Sequence, residues 1–250
     1  MPSTQFISRN RFGLKFLLMI FLCFAPIAGF ADHQIPEVVN LIPDEIFIPP
    51  GFDNNDHAQV VVSGVFMNSC YKVAPPKSRV DFSRNKIIIE NQVYYYPGGW
   101  CLQVLVPYSQ TIELGVLEAS TSEIFALDQG GRAKSMGKIK IAKASNSGPD
   151  DFVYAVVSDA RAEHLGDGPY IVVDGTLGNE CMNLKELKVL HNAINVFEVL
   201  PIVDIRQDPN CRSIPRTFRA KVKVEVRDLS RALIHVRSLN GQSVNKIVDF

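Results

Sequence analysis

The chain has 250 residues, of which 46% are hydrophobic and 21% are charged, a composition typical of folded globular proteins and not of long disordered segments. Its formal net charge at neutral pH is zero, which gives no electrostatic basis for non-specific binding to nucleic acid. This length predicts one or two domains.

Residues 1–31 have the layout of a secretory signal peptide. A basic stretch is followed by the apolar run of residues 16–25, then by Pro26 and by small residues that place a cleavage site before Asp32. The basic residues are Arg9, Arg11 and Lys15. A membrane anchor is the alternative, but the apolar run is shorter than the roughly 20 residues that a spanning helix needs. The sequence therefore predicts a periplasmic, secreted or cell-surface protein with no membrane span after processing.

Four cysteines follow the signal peptide, and an even number in an exported chain suggests two disulfides. An internal repeat selects one of the three ways to pair them. Residues 61–70 align without gaps with residues 172–181 in the shared pattern V-V-x-G-x-(F/L)-x-N-x-C. Each copy ends on a cysteine, and a second cysteine follows 31 residues later in the first copy and 30 residues later in the second. The predicted disulfides are Cys70–Cys101 and Cys181–Cys211.

The repeat also predicts the fold class. Its period of about 110 residues is the size of one β-sandwich domain, and short runs rich in Val and Ile alternate with turn residues along most of the chain. The sequence predicts two tandem all-β domains, each a β-sandwich with one internal disulfide, which resemble bacterial immunoglobulin-like and fibronectin-III-like modules in architecture alone. The predicted segments are an extended N-terminal segment (32–43), domain 1 (44–145), a linker (146–150) and domain 2 (151–250).

Two segments test this secondary-structure prediction. Residues 102–106, which follow the second cysteine of the first copy, are predicted as a strand. Residues 184–192 fit a strand or a short helix equally well, because their apolar spacing matches neither period clearly.

An aromatic patch directly precedes Cys101, in the segment Y-Y-Y-P-G-G-W-C. Consecutive residues of a strand point to opposite faces, so part of this patch is expected to be exposed. Tyrosine and tryptophan suit protein or sugar binding because they offer a large amphipathic area. The candidate binding residues are Tyr95, Tyr96 and Trp100. The alternative is packing, with the tryptophan on the disulfide and the tyrosines at the edge of the core.

A second candidate binding surface is a basic strand in the second repeat. Arg219, Lys221 and Lys223 are spaced two residues apart, which places their side chains on one face of a sheet. Such a face could bind an acidic partner. Alternatively, the three charges meet acidic residues on the neighbouring strand or protect a sheet edge.

The sequence contains no catalytic, metal or cofactor signature. Its histidines form neither H-x-H nor H-E-x-x-H, and no G-x-S-x-G motif is present. The oxygen-rich segment of residues 53–56, D-N-N-D, lacks the alternating ligand spacing of a calcium loop and is interpreted as a turn.

These observations lead to a prediction of function. We expect a non-catalytic interaction or structural module of the bacterial cell envelope whose partner is an envelope or surface protein. A glycan is the alternative partner, as in a surface adhesin. A secreted hydrolase with its site at the domain interface is the alternative from another functional class.

Overall fold

A computed structural model describes residues 35–250 except residues 99, 147, 149, 193 and 227–230. The predicted signal peptide lies outside the described residues. Pro36–Phe250 form one compact unit, in which we call residues 36–146 the first half and residues 150–250 the second half. In the described part of the chain, no helix has the length and apolar character required to cross a membrane.

The first half is built from strands that form three sheets, in the orders β2-β3-β8, β10-β9-β6-β5 and β1-β7-β4. The strands are β1 (Glu37–Asn40), β2 (Glu45–Phe47), β3 (His57–Phe66), β4 (Tyr71–Val73), β5 (Lys77–Asp81), β6 (Lys86–Glu90), β7 (Gln92–Tyr95), β8 (Val106–Val116), β9 (Thr121–Leu127) and β10 (Ala133–Lys140). The first two sheets enclose one apolar core, to which β3, β6, β8 and β9 all contribute. A short 3-10 turn, Phe82–Arg84, joins β5 to β6.

The second half has the same plan, with the sheets β11-β12-β15 and β13-β14-β16-β17. Its strands are β11 (Val156–Leu165), β12 (Gly168–Leu177), β13 (Met182–His191), β14 (Val196–Ile205), β15 (Arg216–Lys223), β16 (Arg231–Ser238) and β17 (Gln242–Asp249). A 3-10 turn, Leu239–Gly241, joins the last two strands. Both sheets contribute to a second apolar core. The molecule is therefore all-β and built of β-sandwiches, as predicted.

The repeat seen in the sequence corresponds to a repeat of strand order and direction. In each half, one pair of strands is parallel within sheets that are otherwise antiparallel: β6 with β9, and β14 with β16. Ile87 lies opposite Ile124 in the first pair, and Val196 lies opposite Leu233 in the second. The parallel pair is a departure from the wholly antiparallel sandwiches of immunoglobulin and fibronectin type III domains. The architectural resemblance to those modules therefore holds for the sandwich and not for its strand directions.

Both predicted disulfides are present. Cys70 is bonded to Cys101 and Cys181 to Cys211, with Cα–Cα distances of 5.2 and 5.8 Å. The asparagine of the repeat pattern has the same role in each copy. The side-chain oxygen of Asn68 accepts a hydrogen bond from the backbone N–H of the first cysteine of its copy at 3.0 Å, and that of Asn179 does so at 2.9 Å. The pattern N-x-C thus encodes a local turn that orients the half-cystine.

The structure resolves the two ambiguous segments and corrects one boundary. Residues 184–191 belong to strand β13, and no helix forms there. The strand predicted at residues 102–106 is wrong, because only Val106 is in a strand. The predicted N-terminal extended segment, residues 32–43, contains β1, which pairs with β7 and is therefore part of a sheet. The count of two domains stays a prediction, since each half has its own core while contacts join both into one unit.

Strand β16 is buried on both faces because the two halves pack against each other. Ile234 and Val236 lie in the core of the second half. Leu233 points the other way and packs with Phe47 and Val61 of the first half. The neighbouring strand β14 is likewise buried from residue 196 to residue 203. The interface between the halves is thus a continuation of the protein interior.

Replacing Cys181 and Cys211 by serine is expected to lower the free energy of unfolding by about 2–5 kcal/mol, because the open chain regains loop entropy when it unfolds. Urea unfolding of the oxidised protein measures the change. The matched variant Asn179→Ala keeps the disulfide and removes the hydrogen bonds that the Asn179 side chain accepts from the backbone N–H groups of Cys181 and Met182, which should cost about 1–2 kcal/mol. A serine variant as stable as the parent would contradict a stabilising role for this disulfide.

Candidate functional site

The most exposed apolar surface of the first half lies where its disulfide meets strand β8. Trp100 is fully exposed, and Leu102, Val104 and Leu105 are 68%, 49% and 66% exposed. Met67, which directly follows β3, is 70% exposed. We call residues 100–105 together with residue 67 the apolar loop. Large apolar side chains that are scattered singly need no explanation, but exposed apolar clusters are typical of interaction sites, which makes the apolar loop a candidate.

The apolar loop is held in place by covalent and hydrogen bonds. The disulfide ties residue 101 to residue 70. Ser69 donates its backbone N–H to the carbonyl of Leu102 at 3.1 Å, and its hydroxyl accepts from the N–H of Leu102 at 2.9 Å. A further backbone bond joins the N–H of Val104 to that same carbonyl at 2.9 Å. These bonds hold the loop in its exposed position, so its exposure does not result from an unattached segment.

The three predicted aromatic residues have different environments. Trp100 does not pack on the disulfide, so the packing alternative is wrong for this residue. Tyr95 is half-buried and stacks on Tyr71 of β4 with ring centroids 5.0 Å apart. That ring continues a row of stacked aromatics through Phe66. Tyr96 is also half-buried, and the ammonium of Lys72 lies 5.2 Å from its ring centre. Packing contacts thus explain the presence of both tyrosines in part, whereas no packing contact explains the exposed tryptophan.

Each residue of the predicted basic surface has a partner on β12 or in the turn that precedes it. The residues are Arg219, Lys221 and Lys223. Arg219 donates to Asp174 at 2.6 Å, and the ammonium of Lys223 lies 3.3 Å from the carboxylate of Asp167. The ammonium of Lys221 lies 5.0 Å from the ring centre of Tyr170. The contact of Arg219 agrees with the alternative in which strand charges meet acids on the neighbouring strand, and all three contacts weaken the case for an acidic partner.

Sequence analysis missed a group of buried charges between the halves. Arg237 of β16 donates through Nε to Glu198 at 2.6 Å and through Nη1 to Asp56 at 2.9 Å. Its Nη1 also lies 3.8 Å from Asp150, and its Nη2 donates to the carbonyl of Gly51 at 2.6 Å. The side chains of Arg237, Glu198 and Asp56 are 9%, 0% and 5% exposed. One guanidinium therefore faces three carboxylates in the interior, and we call these four side chains the ionic cluster.

Burial sets the protonation of this cluster. The pKa of Asp150 is raised to about 6, first by its burial and then by the nearby carboxylate of Asp56, while Arg237 acts to lower it. Burial likewise raises the pKa of Asp53, which is close to the cluster. Charged side chains in the interior are costly unless they are paired, so the arginine is essential to the other members.

The D-N-N-D segment has a structural role beside the cluster. Asn54 accepts a hydrogen bond from the backbone N–H of Ala144 at 2.7 Å, and the amide of Asn55 donates to the carbonyl of Gly148. The carboxylate of Asp56 accepts from the backbone N–H of Asp53 at 2.9 Å. The segment thus fastens the connection between the halves. Across the described residues, no group of three or more His, Cys, Asp or Glu side chains has a geometry suited to a metal ion.

A small pocket of about 20 Å³ lies beside the ionic cluster at the interface. Its walls include Asp56, Asp150, His235 and Arg237, together with the ring of Phe52. We call it the interface pocket. His235 and Arg237 alternate along β16 with residues of the apolar core, which is also the pattern of an ordinary half-exposed strand. The one local signal was Glu198, a single charge inside the apolar run V-F-E-V-L.

Comparison with known proteins adds one similarity. Residues 60–129 are similar to the ORF11 beta-sandwich domain family. The matched segment starts within β3, ends just after β9 and covers less than a third of the chain. No curated protein and no solved structure matches this chain. The similarity agrees with the β-sandwich fold of the first half.

Replacing Arg237 by methionine is expected to lower the free energy of unfolding by about 3–5 kcal/mol, because three buried carboxylates lose their partner. The same substitution at Arg219, whose side chain is 70% exposed, should leave the free energy of unfolding nearly unchanged, because solvent screens its ion pair. Chemical denaturation of both variants at neutral pH compares them directly. Equal losses would show that the ionic cluster does not stabilise the interface.

The ionisation of Asp150 makes a second prediction. Its pKa is about 6 in the folded protein and 3.8 as an ordinary side chain, so the folded state binds the extra proton between these values. The stability of the wild-type protein relative to Asp150→Asn should therefore rise as the pH falls from about 7.5 to about 4.5. Denaturation at both pH values, with the exposed neighbour Asp151→Asn as the control, measures the difference. A difference that is constant or falls over this range would contradict the raised pKa.

Proposed function

We propose that this protein is a non-catalytic, exported interaction module of the bacterial cell envelope that binds an envelope or surface protein through its apolar loop. The observation that carries the proposal is a fully exposed tryptophan beside exposed leucines on a segment fixed by a disulfide. Holding such side chains in water has no benefit for folding. A partner surface that covers them gains the free energy of their burial.

The loop has the properties of an interaction hot spot. Tryptophan is enriched among the residues that dominate binding energies, and the flanking aliphatic side chains can exclude water around it. Burial of one leucine side chain contributes about 1.5–3 kcal/mol. Because the disulfide at Cys101 and the hydrogen bonds at Leu102 and Val104 already hold the backbone, little conformational entropy is lost on binding. The rigid sandwich beneath the loop supports this role.

The composition of the loop favours protein over glycan. Residues 97–107 contain no charged side chain, and Gln103 is the single one there with a polar amide. Recognition of sugars and phosphates needs many hydrogen-bond donors and acceptors, which this segment lacks. A partner with an apolar pocket fits it better.

The corresponding loop of the second half supports a specific role for the first. It follows the second disulfide, and its Arg212 forms a bidentate ion pair with Glu180 at 2.7 and 2.8 Å. Its single exposed large apolar residue among 211–215 is Ile214, at 45%. The two halves share the disulfide and the strand order, and differ in the surface that the disulfide presents.

Localisation follows from the disulfides, which indicate an oxidising extracytoplasmic environment. We place the protein in the periplasm or, as the alternative, at the cell surface. The rival proposal of a hydrolase at the domain interface is less well supported, because the carboxylates there are already paired with Arg237.

The experiment compares the envelope and surface proteins that are captured by the mature protein with those captured by the double variant Trp100→Ser/Leu102→Ser. Partners captured by the parent and lost with the variant are purified, and their affinity is measured by titration calorimetry. We expect the variant to bind at least about tenfold more weakly, while its melting temperature stays within about 2 °C of the parent. Phe82→Ser is the matched control, because it removes a 50%-exposed aromatic from a turn between β5 and β6.

Three outcomes would contradict the proposal. Equal affinity of the parent and the loop variant for the purified partner would show that the loop is not the binding surface. A large drop in melting temperature would show that the loop is structural. Loop-dependent binding to glycans or to phospholipid vesicles, without a protein partner, would replace the proposed partner with another class.

A further inference from the structure

A groove of about 610 Å³ runs between the two halves, next to the interface pocket and far larger than it. We call it the polar groove. Its walls come from β3 and β8 of the first half, and from β17 and the turn before β17 in the second half. Small-molecule sites commonly have volumes of about 300–1,000 Å³, so this groove has room for an organic ligand of two rings.

A hydrogen-bond network that joins both halves builds the polar groove. Gln59 of β3 is 4% exposed, and its Oε1 accepts from the hydroxyl of Ser243 and from the amide of Asn245, both at 3.0 Å. The amide of Asn245 also donates to the hydroxyl of Thr111 at 3.1 Å. The groove is therefore preformed, because its wall residues already hold one another in place. The network uses the oxygen of Gln59 and leaves the two N–H donors of its Nε2 without an acceptor among the described residues.

The chemistry of the lining excludes several classes of ligand. The described lining of the polar groove contains no Leu, Ile, Val, Met, Phe, Tyr or Trp side chain, so an apolar ligand or an apolar peptide side chain has no surface on which to pack. It also contains no Lys or Arg, so a phosphate, a sulfate or an acidic compound has no permanent cation to pair with. Amide and hydroxyl groups predominate instead.

Glu113 places an acceptor next to the donors of Gln59. The two residues lie directly opposite each other on β8 and β3, which puts their side chains on one face of the sheet with Cβ atoms about 5 Å apart. The carboxylate of Glu113 forms no hydrogen bond or ion pair with the described part of the chain. Burial raises the pKa of Glu113, and the nearby His57 acts to lower it. An amide donor and a carboxylate acceptor are thus adjacent and unused in the polar groove.

Neighbouring hydroxyls of a sugar ring match such a pair. Each hydroxyl both donates and accepts, so one can accept from the amide of Gln59 while the next donates to the carboxylate of Glu113. The hydroxyl of Thr111, which accepts from Asn245, still has its own O–H to donate to a third oxygen. A cationic ligand would pair with Glu113 but would face the donors of Gln59 and Thr111.

We propose that the polar groove binds a neutral disaccharide unit. Two neighbouring hydroxyls of one ring lie against Gln59 and Glu113, and the second ring extends along the groove between β8 and β17. This site is separate from the apolar loop, and the proposal does not depend on the proposed function.

The test titrates four neutral disaccharides into the mature protein at neutral pH: maltose, cellobiose, lactose and N,N′-diacetylchitobiose. Digalacturonate is the anionic comparison, and acetyl-tetraserine amide is a neutral peptide of similar polarity. ¹H–¹⁵N NMR follows the side-chain amide resonances of Gln59, assigned by their loss in Gln59→Glu. We expect at least one of the four disaccharides to bind with a dissociation constant below about 10 mM and to shift these resonances, and both comparison probes to bind at least about tenfold more weakly.

Three variants locate the site. Glu113→Gln should weaken the bound disaccharide at least about fivefold, because the hydroxyl loses a charged acceptor. The matched control Glu118→Gln makes the same change at an exposed glutamate outside the groove lining and should leave the affinity unchanged. The loop variant Trp100→Ser/Leu102→Ser should bind the disaccharide as the parent does, which keeps this test distinct from that of the proposed function.

The proposal fails on any of three results. The first is no binding of the four disaccharides at concentrations up to about 50 mM. The second is tighter binding of digalacturonate or of the peptide, which would assign the groove to anions or to extended peptides. The third is disaccharide binding that leaves the Gln59 amide resonances and the affinity of Glu113→Gln unchanged, which would place the sugar elsewhere.

Discussion

The arrangement of this protein depends on one buried contact between its halves. The Gly51 peptide of the first half lies between two charged groups of the second, donating its N–H to Glu198 and accepting from Arg237, both at 2.6 Å. The site requires glycine, because a Cβ there would lie 2.6 Å from the glutamate oxygen. Since both charges are buried, each is tolerated only because the other elements are in place. Separation of the halves would therefore expose these buried charges and the apolar residues around them to water.

This constraint explains the burial of β14 and β16 on both faces. Each strand has apolar residues toward its own sandwich and a mixed face toward the first half. Val196 and Leu233 provide the apolar part of that mixed face and pack with Phe47 and Val61 of the first half. Glu198 and Arg237 of the ionic cluster provide the polar part. A polar network in an interface fixes orientation, because its members are satisfied in one arrangement alone. The apolar contacts then supply stability while the charges select the geometry.

The two halves illustrate how one scaffold can present different surfaces. Strand order, the parallel pair, the disulfide and the N-x-C turn are shared. The first half adds a small sheet of β1, β7 and β4 and an apolar loop, whereas the second half covers its outer sheet with ion pairs such as Arg219–Asp174. Packing constraints keep the common core similar, and exposed loops are free to differ.

The sequence by itself determined the all-β class, the repeat and the disulfide pairing. These depend on local patterns: alternation of apolar residues, turn residues, and the matched spacing of cysteines in residues 61–101 and 172–211. The tertiary structure decided which polar residues are buried. His235 and Arg237 alternate with Ile234 and Val236 as in a strand with one wet face, and only the packing of the first half against that face removes it from water. Conversely, Trp100 is a large apolar residue of the kind usually buried in a core, but its segment lies outside both cores and is exposed. Periodicity reports which side chains share a face, while the partner of that face is set by contacts between residues far apart in the chain.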